Sequence, residues 1–437
     1  MNSSDVKITP NENYLKKFIK GNSLENQRET AFNNVFRFKS ASYLEVKVGD
    51  FSMKGINENI FWEIKYNKSV ERFDIVQAQL YADKYYKLLS DSVRIRLRSD
   101  VKLGSALSGG LDSSTIVYLI NQHLNKSVSK QETFSTVYKS ENVSYCDESK
   151  YIDQISSHLN VKSNQVEPEV KNVKDSYYNM IYAMENPPPS SQMSGWFTFM
   201  MVGNTDVVVT LDGQGADEQL AGYIGYVRNY FCYLPFGMIW NEYLCFRQLP
   251  GVKMLNIYAG IIFNLFTKIF PKKWFIKILN KVYGTASFEE LNKYLAKSTT
   301  AGILTELLHY SDRLSMAHSI ESRVPFMDYR LVEFLASVPA CYKMHHGWTK
   351  YIARLAMDKK LPDEITWRKE KMGWPQPDEV WFQGELNSWA LEIIGKSVFL
   401  KNIFGNKIKK ILLNGRTNDI LKLLNIAIWY DVFFQDS

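Results

Sequence analysis

Cysteine is scarce in this chain: four residues in 437, Cys146, Cys232, Cys245 and Cys341, at spacings that match neither a disulfide framework nor a metal-ligating pattern. A reducing, cytoplasmic compartment is the simplest expectation. Long apolar runs are missing as well. The most membrane-like stretch, MLNIYAGIIFNLFTKIF (254–270), is interrupted by Asn256, Asn264 and Lys268 and preceded by Lys253. It falls short of the roughly 20 apolar residues that cross a bilayer, so it reads as a buried or surface-docked helix and no membrane partner is expected. The opening MNSSDVKITPNENYLKKF is polar, which does not fit a signal peptide. Dense basic blocks are absent too. The formal charge of +7 is spread along the chain, with a mild run from Lys401 to Lys410, and solvated faces explain it without nucleic acid. There is no internal repeat and no low-complexity tract.

What is present is enough apolar content, 45%, to fill one large domain or two. YLEVKVGDF alternates apolar Leu44, Val46 and Val48 with Glu45 and Lys47, then turns at Gly49-Asp50; NIFWEIKY follows. This spacing predicts a hairpin within 43–65, too small to stand alone. From about Val76 the period lengthens: Ala78, Ala82, Tyr85, Leu89, Val93 and Leu97 predict a helix. A short strand before Ser108, a helix after it, a strand at 132–138, a helix at 147–159 and the buried strand 206–211 then alternate. That order predicts a parallel α/β sheet with crossover connections. Beyond residue 220 strand signals fade into a helical, aromatic-rich remainder.

Three stretches carry candidate chemistry. LSGGLDSSTI (107–116) places Ser108, Gly109, Gly110, Asp112, Ser113 and Ser114 between that strand and an apolar helix. Backbone N–H groups and the helix dipole converge at such a turn and favour an anion, yet Asp112 would repel one, so a cation such as Mg²⁺ is expected between them. The Lys of a Walker loop is missing; an ordinary glycine-rich turn would look similar. LDGQGADEQLAGY (211–223) sets Asp212, Asp217 and Glu218 among glycines at the carboxyl end of the second buried strand, where open α/β sheets bind ligands. The third, DRLSMAHSIESRVPFMDYR (312–330), interleaves Asp312, Arg313, Glu321, Arg323, Asp328 and Arg330 with apolar residues. On a helix Asp312, Met316 and Ser319 would share a face, and a structural ion-pair network fits the same spacing equally well. His345-His346 reads as a surface turn rather than a metal pair, because no carboxylate or cysteine lies nearby in sequence.

In this order the stretches resemble the synthetase domain of glutamine-dependent asparagine synthetases. SGGLDSS is similar to the phosphate turn of the ATP pyrophosphatase (PP-loop) superfamily, GQGADEQLAGY to the family's acidic loop, and DRLSMAHSIESRVPFMDYRLVEF to its longest signature. HHGWTKYIARLAMDKKLPDEITWRKEKMGWPQP (345–377) continues the likeness, with Thr349-Lys350 and the Lys371-x-Gly373 element. The resemblance covers about 76–435. It implies an adenine nucleotide α-hydrolase-like α/β domain with a helical C-terminal part, and an ATP-dependent carbon–nitrogen ligase that adenylates a carboxylate, releases pyrophosphate and forms an amide with ammonia. By resemblance the 108–114 turn cradles pyrophosphate, Asp112 and Asp217 share Mg²⁺, Leu107 and Thr136 hold adenine through the backbone, and Gly213 lies beside AMP. Lys371, with Lys369 as the fallback, steadies the transferring phosphoryl group; Glu218, Asp312 and Arg323 bind or orient the amino-acid substrate.

Departures accompany the likeness. Gln214 and Asp212 stand where many members have glutamate and serine, and Asn186 in MENPPPSS (184–191) replaces a carboxylate. These changes leave room for another acid or amine, as in lactam and macrocycle-forming relatives. Residue 2 is Asn, where members that use glutamine carry a nucleophilic cysteine, and 43–65 is similar to the last strands of their glutaminase domain. The expectation is therefore a glutaminase remnant at 1–65 and a ligase domain at 76–435. Nitrogen would come from free ammonia or a separate glutaminase chain, and a homodimer is among the assemblies open to it. A non-catalytic scaffold is a third reading, opposed by the persistence of Asp112, Asp217 and Lys371.

Overall fold

The computed structural model describes residues 8–21, 28–46, 58–68, 71–124, 130–269, 288–370, 376–413 and 416–435. Its centre is a five-stranded, all-parallel sheet of order β5-β4-β3-β6-β7. The strands are β3 (Lys102–Ala106), β4 (Glu132–Thr136), β5 (Lys162–Val166), β6 (Val207–Leu211) and β7 (Glu321–Arg323). The chain steps outward from β3 to β5, then returns to lay β6 on the other side of β3. The strand order thus reverses between β3 and β6, and a crevice opens at the carboxyl ends of that pair.

Both sheet faces are covered, as parallel sheets require. On one side lie α2 (Ile75–Arg96), α3 (Leu111–His123) and α4 (Ser149–Leu159), packed with Leu107, Val209 and Leu211. On the other lie α5 (Val170–Met184), α6 (Met193–Gly203) and the helix Thr417–Phe434, packed with Phe134 and Val207. Val207 and Val209 are two apart yet face opposite cores. The register slips between Lys102↔Val207 and Leu103↔Val209, leaving Val208 as an exposed bulge.

The alternating strands and helices expected from 76 to 211 are present. Strands β5 and β7 are additions: β5 is polar (KSNQV) and half-buried, and β7 is three residues at an edge. β7 follows soon after the helix Ile303–Met316, on which Asp312 and Met316 lie; Ser319 falls outside it and adopts a left-handed φ of 59°.

At the front, the expected hairpin is represented by a two-residue antiparallel pair, β1 (Ser42–Tyr43) with β2 (Asn59–Ile60); residues 47–57 lie outside the described residues. A short helix, α1 (Glu12–Ile19), accompanies it, capped by Asn11. Its Tyr14, Leu15 and Phe18 join the core around the Thr417–Phe434 helix, and Phe32 packs on Trp429 with ring centroids 5.0 Å apart. Asn186 belongs to this seam, its Oδ1 accepting the N–H of Ala31 at 3.2 Å.

The third stretch does contain an ion-pair network. Asp328, 6% exposed, caps the helix Tyr329–Ser337 and receives Nε and Nη2 of Arg330 at 3.0 and 2.9 Å and Nη1 of Arg96 at 3.3 Å. Arg330 in turn reaches Asp91 on α2 at 2.8 Å. The Arg330 hydrogen bonds hold the Asp328 carboxyl down at about 2 against the effect of burial. Its folded-state pKa lies below its unfolded value, so the stabilisation is complete above the unfolded pKa and is lost as pH falls through about 2. Asp328→Asn is expected to destabilise the fold by about 2 kcal/mol or more at neutral pH. The variant should also show a smaller loss of stability on acidification. Urea unfolding at pH 7 and pH 3 checks this, and unchanged midpoints at pH 7 would contradict it.

Candidate active site

A cavity of about 480 Å³ occupies the crevice at the carboxyl ends of β3, β4 and β6. That lies within the usual range for small-molecule sites, roughly 300–1,000 Å³. Its floor is the 107–113 turn. Ser113 shapes this turn from inside: its Oγ accepts the N–H of Ser108 at 3.1 Å, donates to the carbonyl of Gly110 at 3.2 Å, and lies 3.0 Å from Ser108 Oγ. Gly109 has φ 72°, and a Cβ there would sit 2.7 Å from Cβ of Tyr151 on α4, so only glycine fits. α3 begins immediately afterwards, presenting its first N–H groups, which have no intrahelical acceptors, toward the cavity. Ser114 lies buried beneath the turn.

Two carboxylates meet above this floor. Asp112 comes from the first turn of α3, and Asp217 from α7 (Ala216–Leu220), which follows β6. Between them sits the ammonium of Lys350, in contact with Asp112 Oδ2 and 2.5 Å from Asp217 Oδ1. Burial alone would depress this lysine, but Asp112 and Asp217 outweigh it and raise its pKa above the ordinary value. Lys350 is 4% exposed and holds a left-handed φ of 55°, a conformation that costs a non-glycine residue about 1–2 kcal/mol. Gly222 makes the approach possible, since a Cβ there would fall 1.8 Å from Asp217 Oδ1. The trio carries a net charge of −1. Two hard oxygen ligands from separate elements fit a divalent cation such as Mg²⁺.

The walls add further charge. Glu218 is buried and accepts the hydroxyl of Tyr223 at 2.7 Å; burial, reinforced by Asp217, raises its pKa. Asp212, also raised by burial, accepts Ser322 Oγ at 2.6 Å and so fastens β7 to β6. Arg354 is buried against the carbonyls of Thr349 and Thr366, which pushes it down to about 10 despite Asp112 and Asp217, still charged at neutral pH. Arg368 makes a bidentate pair with Glu148 at 2.6 and 2.7 Å and lies over the ring of Tyr151.

Most of the residues singled out from sequence converge here. Leu107, Ser108, Gly110, Asp112, Ser113, Thr136, Gly213, Asp217 and Glu218 line the cavity, as does Gln214. Thr136 is held by Thr198 at 2.6 Å and by the carbonyl of Ser194 at 2.9 Å. Lys371 lies outside the described residues, although Glu370 and Gln376 on either side of 371–375 line the cavity. Lys369 is over the ring of Trp348 and is not part of the lining. Asp312 is exposed and Arg323 is spent on the carbonyls of Arg96 and Arg98, so the structure brings neither to the cavity. Sequence reading had given no role to Lys350, Arg354, Arg368 or Glu148. The run TKYIAR does hold Lys350 and Arg354 four apart, one helical turn on one face.

The fold and site define an α/β protein whose crevice sits at a strand-order reversal, floored by a serine–glycine turn at a helix N-terminus and closed by an Asp–Lys–Asp cluster. The chain belongs to the asparagine synthase family, whose model matches residues 84–430. It is 26% identical over 372 residues to asparagine synthetase (glutamine-hydrolyzing) 3 of Bacillus subtilis strain 168, covering 78% of this chain and 55% of that protein. The corresponding figures for asparagine synthetase (glutamine-hydrolyzing) 1 of the same organism are 28% over 334 residues, 70% and 51%. This chain thus spans about half the length of these curated relatives.

Lys350→Met leaves two half-buried carboxylates facing each other without their cation. We expect a loss of about 3 kcal/mol in chelator-treated buffer, partly restored by millimolar Mg²⁺. Urea unfolding with and without Mg²⁺ measures it, and wild-type stability in chelator would remove the cluster from this account.

Proposed function

We propose that the chain joins ammonia to a carboxylic acid, L-aspartate in the first instance, at the expense of ATP. The acid's carboxylate attacks the α-phosphorus, pyrophosphate leaves, and ammonia displaces AMP from the acyl adenylate to give the amide. A carboxylate resists amines until one of its oxygens becomes part of a good leaving group, and the α-phosphoryl group provides that. What remains for the protein is charge neutralisation and positioning.

The observation that carries this reading is the meeting of the phosphate turn with Asp112, Asp217 and Lys350 at one point of the crevice. The N–H groups of the turn and of the α3 N-terminus donate to pyrophosphate. Asp112 and Asp217 would hold Mg²⁺, which supplies positive charge to phosphate oxygens. Lys350 has three N–H donors; two face the carboxylates, and the third is assigned to a phosphate oxygen. The buried carboxylate of Glu218 binds the substrate's ammonium, and Lys371 steadies the transferring phosphoryl group.

Nitrogen is proposed to arrive as ammonia, free or from a separate glutaminase chain. Burial raises all four thiols of this chain, Cys146, Cys232, Cys245 and Cys341, above their ordinary range. A glutamine-cleaving thiol needs the opposite shift.

Pyrophosphate release across a panel of acids, with ammonium or with glutamine, tests the proposal. L-aspartate with ammonium should release pyrophosphate; glutamine should not replace ammonium or yield glutamate. Asp112→Asn and Asp217→Asn should each lower the rate at least 100-fold with circular dichroism unchanged. Near-normal release by either variant would overturn the assignment.

A further inference from the structure

A second cluster of cation ligands lies apart from the cavity lining. The helix Phe236–Phe246 carries Glu242, 1% exposed. A hairpin of β8 (Met344–His345) and β9 (Trp348–Thr349) carries buried His345 and, in its turn, exposed His346. The turn therefore holds a buried imidazole, and the carboxylate that sequence proximity could not supply comes from 103 positions away. One ligand atom from each of the three side chains lies within 4.8 Å of the others.

The local chemistry asks for a cation. Glu242 accepts the backbone N–H of His346 at 3.0 and 3.3 Å, and among the described residues its only ion-pair partner is His345. A buried carboxylate with no permanent cation beside it is costly. Nδ1 of His345 is 3.2 Å from Glu242 Oε1, yet this buried nitrogen makes no hydrogen bond. With the imidazole proton on Nε2, Nδ1 and the carboxylate are two acceptors side by side, and a shared metal ion satisfies both.

The surroundings hold His345 in place. Phe73 stacks on its ring at 3.5 Å and 8°, and the exposed His346 ring lies against it with centroids 3.9 Å apart. The turn is pressed against the helix, because a Cβ on Gly347 would lie 2.8 Å from the carbonyl oxygen of Cys245.

We propose that Glu242, His345 and His346 bind one divalent transition-metal ion of the zinc class. Ligands about 2.0–2.1 Å from a tetrahedral metal stand roughly 3.3 Å apart. The Glu242–His345 pair has that spacing already, and rotation of the exposed His346 ring brings in the third nitrogen. Two imidazoles and a carboxylate suit Zn²⁺ or Co²⁺ and leave a fourth position for water. The ion would pin the hairpin that leads directly into Thr349 and Lys350.

The test uses the full chain without a histidine tag, stripped with chelator and titrated with Zn²⁺ against a chromophoric competitor. One Zn²⁺ per chain is expected, with a rise in thermal midpoint, and Co²⁺ should give visible bands of a nitrogen- and oxygen-ligated site. His346→Ala, an exposed change that empties no core, and Glu242→Gln should each weaken Zn²⁺ binding at least tenfold and abolish the thermal shift. Absence of stoichiometric binding would overturn the proposal, as would wild-type affinity in His346→Ala. Neither readout depends on ligase activity.

Discussion

The structure of the site depends on bringing three charges together: two half-buried carboxylates, Asp112 and Asp217, and the buried ammonium of Lys350. Each arrives on a different element, the start of α3, the start of α7 and the end of the β8–β9 hairpin. Carboxylates so close would repel strongly in a medium of low polarity, and the ammonium between them offsets that repulsion. The steric conditions are narrow. Gly222 must lack a side chain, and Lys350 must hold a left-handed backbone. Such features persist where surrounding structure over-determines them, and here that structure is the reversal of strand order between β3 and β6.

The same reversal explains why the serine–glycine turn at 107–113 and the acidic loop at 211–223 are neighbours though far apart in sequence. β3 and β6 pair directly, so the loops that leave their carboxyl ends share one crevice. The helix Ile303–Met316 lines the opposite wall through Glu306, Tyr310 and Ser311. The run that follows, 312–330, adds Leu314 to that wall and supplies Asp328 and Arg330 to the clamp with Asp91.

Much of this was legible beforehand because strand-to-helix turns carry local signals. Glycine, serine and aspartate at 108–114, and glycine with acidic residues at 212–218, identify both loops, each after a short strand with a buried centre. The rest depends on tertiary pairing. β5 is polar because it is half-buried at an edge, so no hydrophobic period marks it. Asp312 follows the cavity residue Ser311 but sits on the exposed face of its helix, and Arg323, on edge strand β7, is tied to the carbonyls of Arg96 and Arg98. Lys350 was visible as a residue and not as a partner, since nothing local couples it to carboxylates 133 and 238 positions away. The Glu242–His345–His346 cluster was hidden for the same reason.

The central claim is that the substrate's carboxylate attacks the α-phosphorus of ATP in this crevice. Isotope transfer measures that step directly. L-aspartate labelled with ¹⁸O in its carboxylates is incubated with the chain, ATP, Mg²⁺ and ammonium, and the phosphorus-containing products are examined by ³¹P NMR. Adenylation followed by amide formation predicts one ¹⁸O carried from the acid into AMP, with unlabelled pyrophosphate beside it. Label in orthophosphate together with ADP would place the attack at the terminal phosphorus and contradict the account.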